Sequence, residues 1–223
     1  MSGHISQKIA SIRREIPKNV ELIAITKQVD IEPMREAYQA GVRNFGENRL
    51  QEALAKQSQL QDLTDVSWHF IGHIQKNKAK KVIENFTWIH SVDSLALAER
   101  IERLAGELGL IPNIFLQVKM LPDPNKYGWE VESLLQDLDQ IDQFTHVSVR
   151  GLMTILPWGL GSTEISEAFK AVAELSKKIA QKNYQNISME ELSMGMSGDY
   201  QLAIEAGATQ IRLGRTIFGD RHS

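Results

Sequence analysis

The chain of 223 residues contains no cysteine. That excludes disulfides, thiol nucleophiles and every cysteine-based zinc or iron–sulfur site, and it fits a reducing compartment. There is no excess of positive charge either: 25 basic against 28 acidic residues leave a formal net charge of −3. A protein that neutralises nucleic-acid phosphates needs the opposite balance, so nucleic acid is not an expected partner. No run approaches the ~20 apolar residues that span a bilayer, so no membrane association is expected. The N-terminus lacks the apolar core of a signal peptide and carries Arg13, Arg14 and Glu15. The expected location is therefore cytoplasmic. Proline is sparse, with 6 residues, and no Pro-rich or low-complexity linker divides the chain. A chain of this length buries roughly 70–75% of its unfolded surface and needs no staples.

What is present is alternation. Ile5, Ile9, Ile12 and Ile16 form the apolar stripe of a leading amphipathic helix. Short β-branched runs then alternate with segments of helical period. The strands are expected at 20–26, 42–45, 66–71, 87–92, 113–118, 147–155, 188–194 and 209–213. The helices are expected at 31–40, 48–60, 76–85, 95–108, 130–141, 164–182 and 200–206. Eight such units argue for an α/β fold, a single-domain (β/α)8 TIM barrel over residues 1–223 with an extra N-terminal helix. An open doubly wound sheet is the alternative. It usually carries a Gly-rich fingerprint after its first strand, where this chain has Lys27, Gln28, Val29 and Asp30. The loop 121–128 (LPDPNKYG) is the strongest turn signal and reads as a strand-to-helix loop.

In a barrel, functional groups stand at the C-terminal strand ends. Two segments there suggest an anion site: SMGMSGDY (193–200) and RLGRTIFGD (212–220). Loops after strands seven and eight with a short extra helix form the recurrent phosphate site of this fold. The alternative is that Gly195, Gly198 and Gly214 only turn tight corners. Lys27 ends the first strand as an amine at the barrel mouth, either solvated or a Schiff-base candidate. A lysine amine plus a phosphate anchor is the minimum kit for pyridoxal 5′-phosphate. Arg212 shares side-chain parity with Gly214 and should project inward. Its acceptor is either a pyridine nitrogen or a carboxylate such as Glu191. Asn48 reads as a helix cap or a ligand residue. His69, His73 and His90 lie on neighbouring strands but lack accompanying carboxylates at metal spacing, so no metal is expected. Lys76, Lys78, Lys80 and Lys81 read as a solvated helix face. Trp68, Trp88, Trp129 and Trp158 read as core or rim packing.

These pieces resemble the pyridoxal-phosphate homeostasis protein family, whose members resemble the N-terminal barrel domain of alanine racemase. The matching stretches are AITK (24–27), FGENRLQE (45–52), WHFIGHIQKNK (68–78), IHSVDS (89–94), GLMTI (151–155), ELSMGMSGDY (191–200) and IRLGRTIFG (211–219). The resemblance implies that Lys27 holds pyridoxal 5′-phosphate as a Schiff base. It implies that Ser197, Gly198, Gly214, Arg215 and Thr216 hold the phosphate and that Arg212 faces the pyridine nitrogen. Asn48, His73, Ser91 and Met194 would line the ring. One departure is Arg215, where family members often carry a small hydroxyl residue, with Thr216 one position later.

A guanidinium at the pyridine nitrogen disfavours its protonation and makes the ring a poorer electron sink. Racemases resembling this barrel add a base, usually a tyrosine from a separate β domain, for which this chain leaves no room. The resemblance therefore implies a monomeric protein of cofactor homeostasis and amino-acid and keto-acid balance. It would pass pyridoxal phosphate to apo-enzymes and have no catalytic residues of its own. A minimal racemase or lyase using Lys27 as base is the alternative, and a phosphate-substrate barrel whose Lys27 attacks a sugar carbonyl is a third reading.

Overall fold

The computed structural model describes residues 4–124 and 126–219. Asn125 of the loop 121–128 and Asp220 of the last motif lie outside them. Among the described residues there are nine strands: β1 (Glu21–Ile25), β2 (Asn44–Glu47), β3 (Ser67–Phe70), β4 (Trp88–Val92), β5 (Asn113–Lys119), β6 (Trp129–Glu130), β7 (Ser148–Met153), β8 (Ile187–Met196) and β9 (Gln210–Leu213). The helices are α1 (His4–Glu15), α2 (Ile31–Gln39), α3 (Leu50–Gln59), α4 (Ala79–Asn85), α5 (Leu95–Leu108), α6 (Val131–Ile141), α7 (Ser162–Ala180), α8 (Tyr200–Glu205) and α9 (Arg215–Phe218), with a 3₁₀ turn over Lys76–Lys78.

The strands pair in parallel in the ring order β1-β2-β3-β4-β5-β7-β8-β9, and β9 closes on β1. This is the eight-stranded barrel expected from the alternation. Both strand faces are covered, so the strands read as near-continuous apolar runs, as in Leu22–Ile25. Ile9 and Ile12 seal α1 against the body, and Glu36 of α2 accepts the backbone N–H groups of Ile5 and Ser6.

β6 was not expected. It is a two-residue strand that pairs with Val118 and Lys119 outside the ring, so α6 starts at Val131. Its cause is tertiary. Trp129 is buried and its Nε1 donates to Asp137, while Glu130 forms an ion pair with Lys119. β8 also runs two residues further than expected, to Met196, and its register against β9 shifts between Ser193 and Met196.

The barrel interior is partly polar. His90 Nδ1 lies 2.8 Å from Ser193 Oγ. β4 and β8 are not neighbours in the ring, so this bond crosses the interior. His90 Nε2 lies 2.9 Å from His69 Nδ1, and Phe115 and Trp88 pack against the two rings. Burial drives the His69 imidazole down to about 3. His90 is held well below its usual value by burial, with the neighbouring His69 and Arg212 adding to it.

Both imidazoles stay neutral in the folded chain while the unfolded chain takes up protons below the ordinary value of 6.5. Stability should therefore fall as pH drops from 6.5 toward about 3. The check is the urea midpoint across that range: His69→Gln should show a shallower fall, and parallel wild-type and variant curves would refute the assignment. A second prediction concerns Gly151, where an added Cβ would stand 1.7 Å from the Glu191 carbonyl oxygen. Backbone faces backbone there, so Gly151→Ala should cost at least about 2 kcal/mol in chemical denaturation.

Candidate functional site

The C-terminal strand ends open onto a cavity of about 730 Å³, within the range of small-molecule sites. Lys27 and Asn48 line one wall, and the loop 156–160 after β7 lines another. Ser197, Gly198, Arg212, Gly214 and Arg215 complete it.

Lys27 follows β1 in a tight turn, half-buried, with Gln28 in the left-handed region at φ 58°. The turn is braced from behind. Lys56 Nζ donates to the Thr26 carbonyl at 2.6 Å, to Glu47 at 2.8 Å and to Glu52 at 2.6 Å. Thr26 Oγ1 donates to Glu47 Oε1 at 2.6 Å, and Glu52 accepts the Gln28 N–H. Burial pushes the Glu47 carboxyl up, against the hydrogen bonds from Lys56 and Thr26. Sequence reasoning missed Glu47 and Lys56. The available signal was that Lys56 shares the buried face of α3 with Leu50 and Ala53. Lys27 also borders a smaller cleft of about 180 Å³ with Arg49 and Glu52.

Across the mouth, two backbone N–H groups converge on one oxygen. Gly214 N and Thr216 N lie 3.4 and 3.3 Å from Ser197 Oγ. The Asp199 carboxylate accepts the Met196 N–H at 2.5 Å and shapes the turn that presents Ser197. The tight-corner alternative holds for Gly195, which has φ 92° and whose Cβ would lie 2.6 Å from that of Ala203. Packing does not explain Gly198, where an added Cβ would meet nothing within 4 Å. Arg215 turns to the rim, its guanidinium 5.9 Å from the ring of exposed Trp158.

Arg212 projects inward and is 3% exposed. Its Nη1 donates to Ser193 Oγ at 2.7 Å and its Nη2 to the Thr154 carbonyl at 2.8 Å. Burial pushes the guanidinium down to about 10, and Asp199 opposes that shift. The alternative bridge to Glu191 does not form, because Glu191 instead accepts from Thr209 at 2.6 Å.

The weaker candidates divide. Asn48 is not a cap: α3 begins after Arg49, and the Asn48 Oδ1 is buried with no hydrogen-bond partner. Gly72 packs against the Asn48 backbone so closely that an added Cβ would lie 2.2 Å from its carbonyl oxygen. Ser91 is buried and donates to the Gly72 carbonyl at 2.5 Å, one layer behind the cavity wall. His73 stands at the rim, 3.0 Å from Asp93 and stacked on Tyr127 at 3.6 Å. It is therefore remote from the buried His69–His90 pair, and the three histidines do not converge. Met194 does not reach the cavity; it is fully buried in the layer between strands and helices, and Met196 lines the wall in its place. The ladder against β9 gains one extra residue on β8 between Ser193 and Met196. Lys126, which sequence reasoning did not single out, also lines the cavity.

The lining fits a phosphorylated pyridine aldehyde. It offers an amine, a hydroxyl with converging N–H donors, a buried cation and an unpaired amide oxygen on one wall.

Comparison with known proteins agrees with this chemistry. Residues 2–222 match the family model described as "Alanine racemase, N-terminal domain". A pyridoxal phosphate homeostasis protein of Synechocystis is 50% identical over 206 residues, covering 92% of this chain and 94% of the relative. One from Pseudomonas aeruginosa is 40% identical, covering 92% and 86%. The structure of PipY from Synechococcus elongatus with pyridoxal phosphate bound superposes with a TM-score of 0.93 at 48% identity, covering 96% of this chain and 100% of that one. Alanine racemase of Clostridium difficile shares the fold at a TM-score of 0.80 and 14% identity, over 60% of its own length. The barrel, the residues at its mouth and these likenesses together show that the chain belongs to the pyridoxal phosphate homeostasis protein family, built on the alanine racemase N-terminal fold.

Proposed function

We propose that this chain binds pyridoxal 5′-phosphate in the cavity at the barrel mouth and serves cofactor homeostasis, with residues 1–223 acting as one cofactor-binding domain. The observation that carries the reading is that Lys27, Arg212 and Ser197, whose Oγ gathers the Gly214 and Thr216 N–H groups, line one cavity. When bound, the cofactor supplies an electrophilic aldehyde and an electron-accepting ring.

The roles follow from position. Lys27 holds the cofactor as a Schiff base, and its turn is kept in place by Lys56 and Glu47. Ser197 gives up its two N–H donors to the phosphate, joined by the backbone at Gly198, Gly214, Arg215 and Thr216. Arg212 presents a cation toward the pyridine nitrogen, and Asn48 offers its unpaired Oδ1 to the ring substituents. His73 and Ser91 support the rim, and Met196 takes the ring-lining place expected of Met194.

A cation at the ring nitrogen keeps that nitrogen unprotonated and limits carbanion chemistry. The chain accordingly carries the cofactor without efficient turnover, acts as a monomer in the cytoplasm, and hands pyridoxal phosphate to apo-enzymes to maintain amino-acid and keto-acid balance. The racemase or lyase reading is favoured by one observation, the second amine of Lys126 on the cavity wall.

Incubation with pyridoxal phosphate should produce an absorption band near about 420 nm that Lys27→Ala abolishes; a band that survives that substitution would overturn the assignment of Lys27. Ser197→Ala should weaken retention against a competing apo-enzyme by about tenfold while leaving the thermal melt unchanged. Amino-acid racemisation on the order of 1 per second would establish the enzymatic reading instead.

A further inference from the structure

Beneath the cavity floor a continuous line of polar side chains runs through the barrel. Arg212 Nη1 donates to Ser193 Oγ at 2.7 Å, and Ser193 Oγ lies 2.8 Å from His90 Nδ1. His90 Nε2 lies 2.9 Å from His69 Nδ1. His69 Nε2 lies 3.1 Å from Asn44 Oδ1, and Asn44 Nδ2 donates to Glu21 at 3.3 Å at the opposite end of the barrel.

The direction of the line is fixed by its two ends together: Arg212 can only donate, and Asn44, whose Nδ2 donates to Glu21, leaves its Oδ1 to accept from His69. A guanidinium only donates. Ser193 therefore accepts from Arg212 and has its own proton to give, and His90 Nδ1 is where that proton points. An accepting Nδ1 places the proton of neutral His90 on Nε2, facing His69 Nδ1. That nitrogen must then accept, which places the proton of His69 on Nε2, facing Asn44 Oδ1. The Asn44 amide is oriented to match, because its nitrogen side faces Glu21. With Asn44 Oδ1 facing His69, reversing His69 would set two acceptors against each other at Asn44, and reversing His90 would leave two acceptors facing each other between the rings. Burial keeps both rings neutral. The charged groups that face the line are Arg212 at one end, with Asp199 beyond it, and Glu21 at the other, with Glu191 close to it.

We propose that Ser193, His90 and His69 are positioning residues for Arg212, a one-way hydrogen-bond line that holds the guanidinium in the orientation it presents to the pyridine ring. The assignment of that ring to Arg212 is the reading given above, and this inference rests on it. Ser193 and the Thr154 carbonyl occupy two of the five guanidinium N–H groups. With the line intact, the Ser193 oxygen is committed as an acceptor and the plane of Arg212 is set. With His90 replaced by an apolar residue, the Ser193 proton loses its acceptor, and the hydroxyl is free to rotate away from Arg212. The two histidines thus act on the ring end of the site and leave the phosphate end untouched.

Two measurements test this. The first needs no cofactor. Nitrogen-15 NMR of the histidine rings, with His90→Gln and His69→Gln used for assignment, should show both as neutral Nε2–H tautomers wherever the protein is folded. An Nδ1–H tautomer at either ring, or titration near the ordinary value, would overturn the line.

The second compares binding of pyridoxal phosphate with binding of inorganic phosphate alone. His90→Leu and Ser193→Ala should each weaken pyridoxal phosphate binding by roughly tenfold. Both should shift the pH profile of the cofactor absorption band and leave inorganic phosphate binding unchanged. His90→Gln, which can accept and donate in the same directions, should restore the wild-type profile. A purely structural role would instead lower both affinities together, and that result refutes the proposal. Arg212→Leu separates the two levels of the argument. If it moves the band while His90→Leu and Ser193→Ala do not, the positioning line fails and the ring assignment stands. If Arg212→Leu leaves the band unmoved, the ring assignment fails and the line falls with it.

Discussion

Arg212 places a guanidinium inside a closed barrel at 3% exposure. Moving such a charge out of water costs several kcal/mol unless dipoles or an opposite charge replace the lost hydration. The replacement here is mostly neutral: a serine hydroxyl, a backbone carbonyl and, behind the serine, two imidazoles that burial holds uncharged. Much of the polar structure of the interior follows from that one requirement. Its functional consequence is a cation at the cavity floor that its surroundings do not neutralise, and it stays protonated at neutral pH because its value falls only to about 10.

The rim is built differently. The donors gathered there are backbone N–H groups, whose positions are set by chain geometry and not by rotamers. Ser197 Oγ holds those donors together, so their arrangement is set by the fold. The turn that carries Lys27 is tied down by Lys56, Glu47 and Glu52, and Lys27 lines the cavity. The buried Glu47–Lys56 pair is two opposite charges that stabilise each other in the interior. It serves the site by holding Thr26, the residue before the lysine.

The sequence was informative where one residue's type and parity sufficed. Strand and helix periods differ enough that the eight repeating units could be read directly, and the rule that function gathers at C-terminal strand ends located Lys27, Ser197, Arg212 and Gly214 at one mouth. It was uninformative where a neighbour decides. β6 exists only because Trp129 and Glu130 meet Asp137 and Lys119. Met194, which the resemblance placed at the ring, is buried, and Met196 lines the cavity in a stretch where the ladder against β9 gains one residue. Lys56 was not singled out, because its buried partner Glu47 is nine positions away on another element.

The sequence by itself determined the barrel class, the inward side of Arg212 and the lysine at the first strand end, since periodicity and alternation are local properties of the chain. Only the tertiary structure decided that His69 and His90 form a line of fixed direction. The same is true of the unpaired Asn48 oxygen and of Gly198, which packing leaves open. The reason is physical. A hydrogen bond's direction, and whether a polar atom has a partner at all, depend on which groups the closed barrel brings within about 3 Å, and no local pattern encodes that distance.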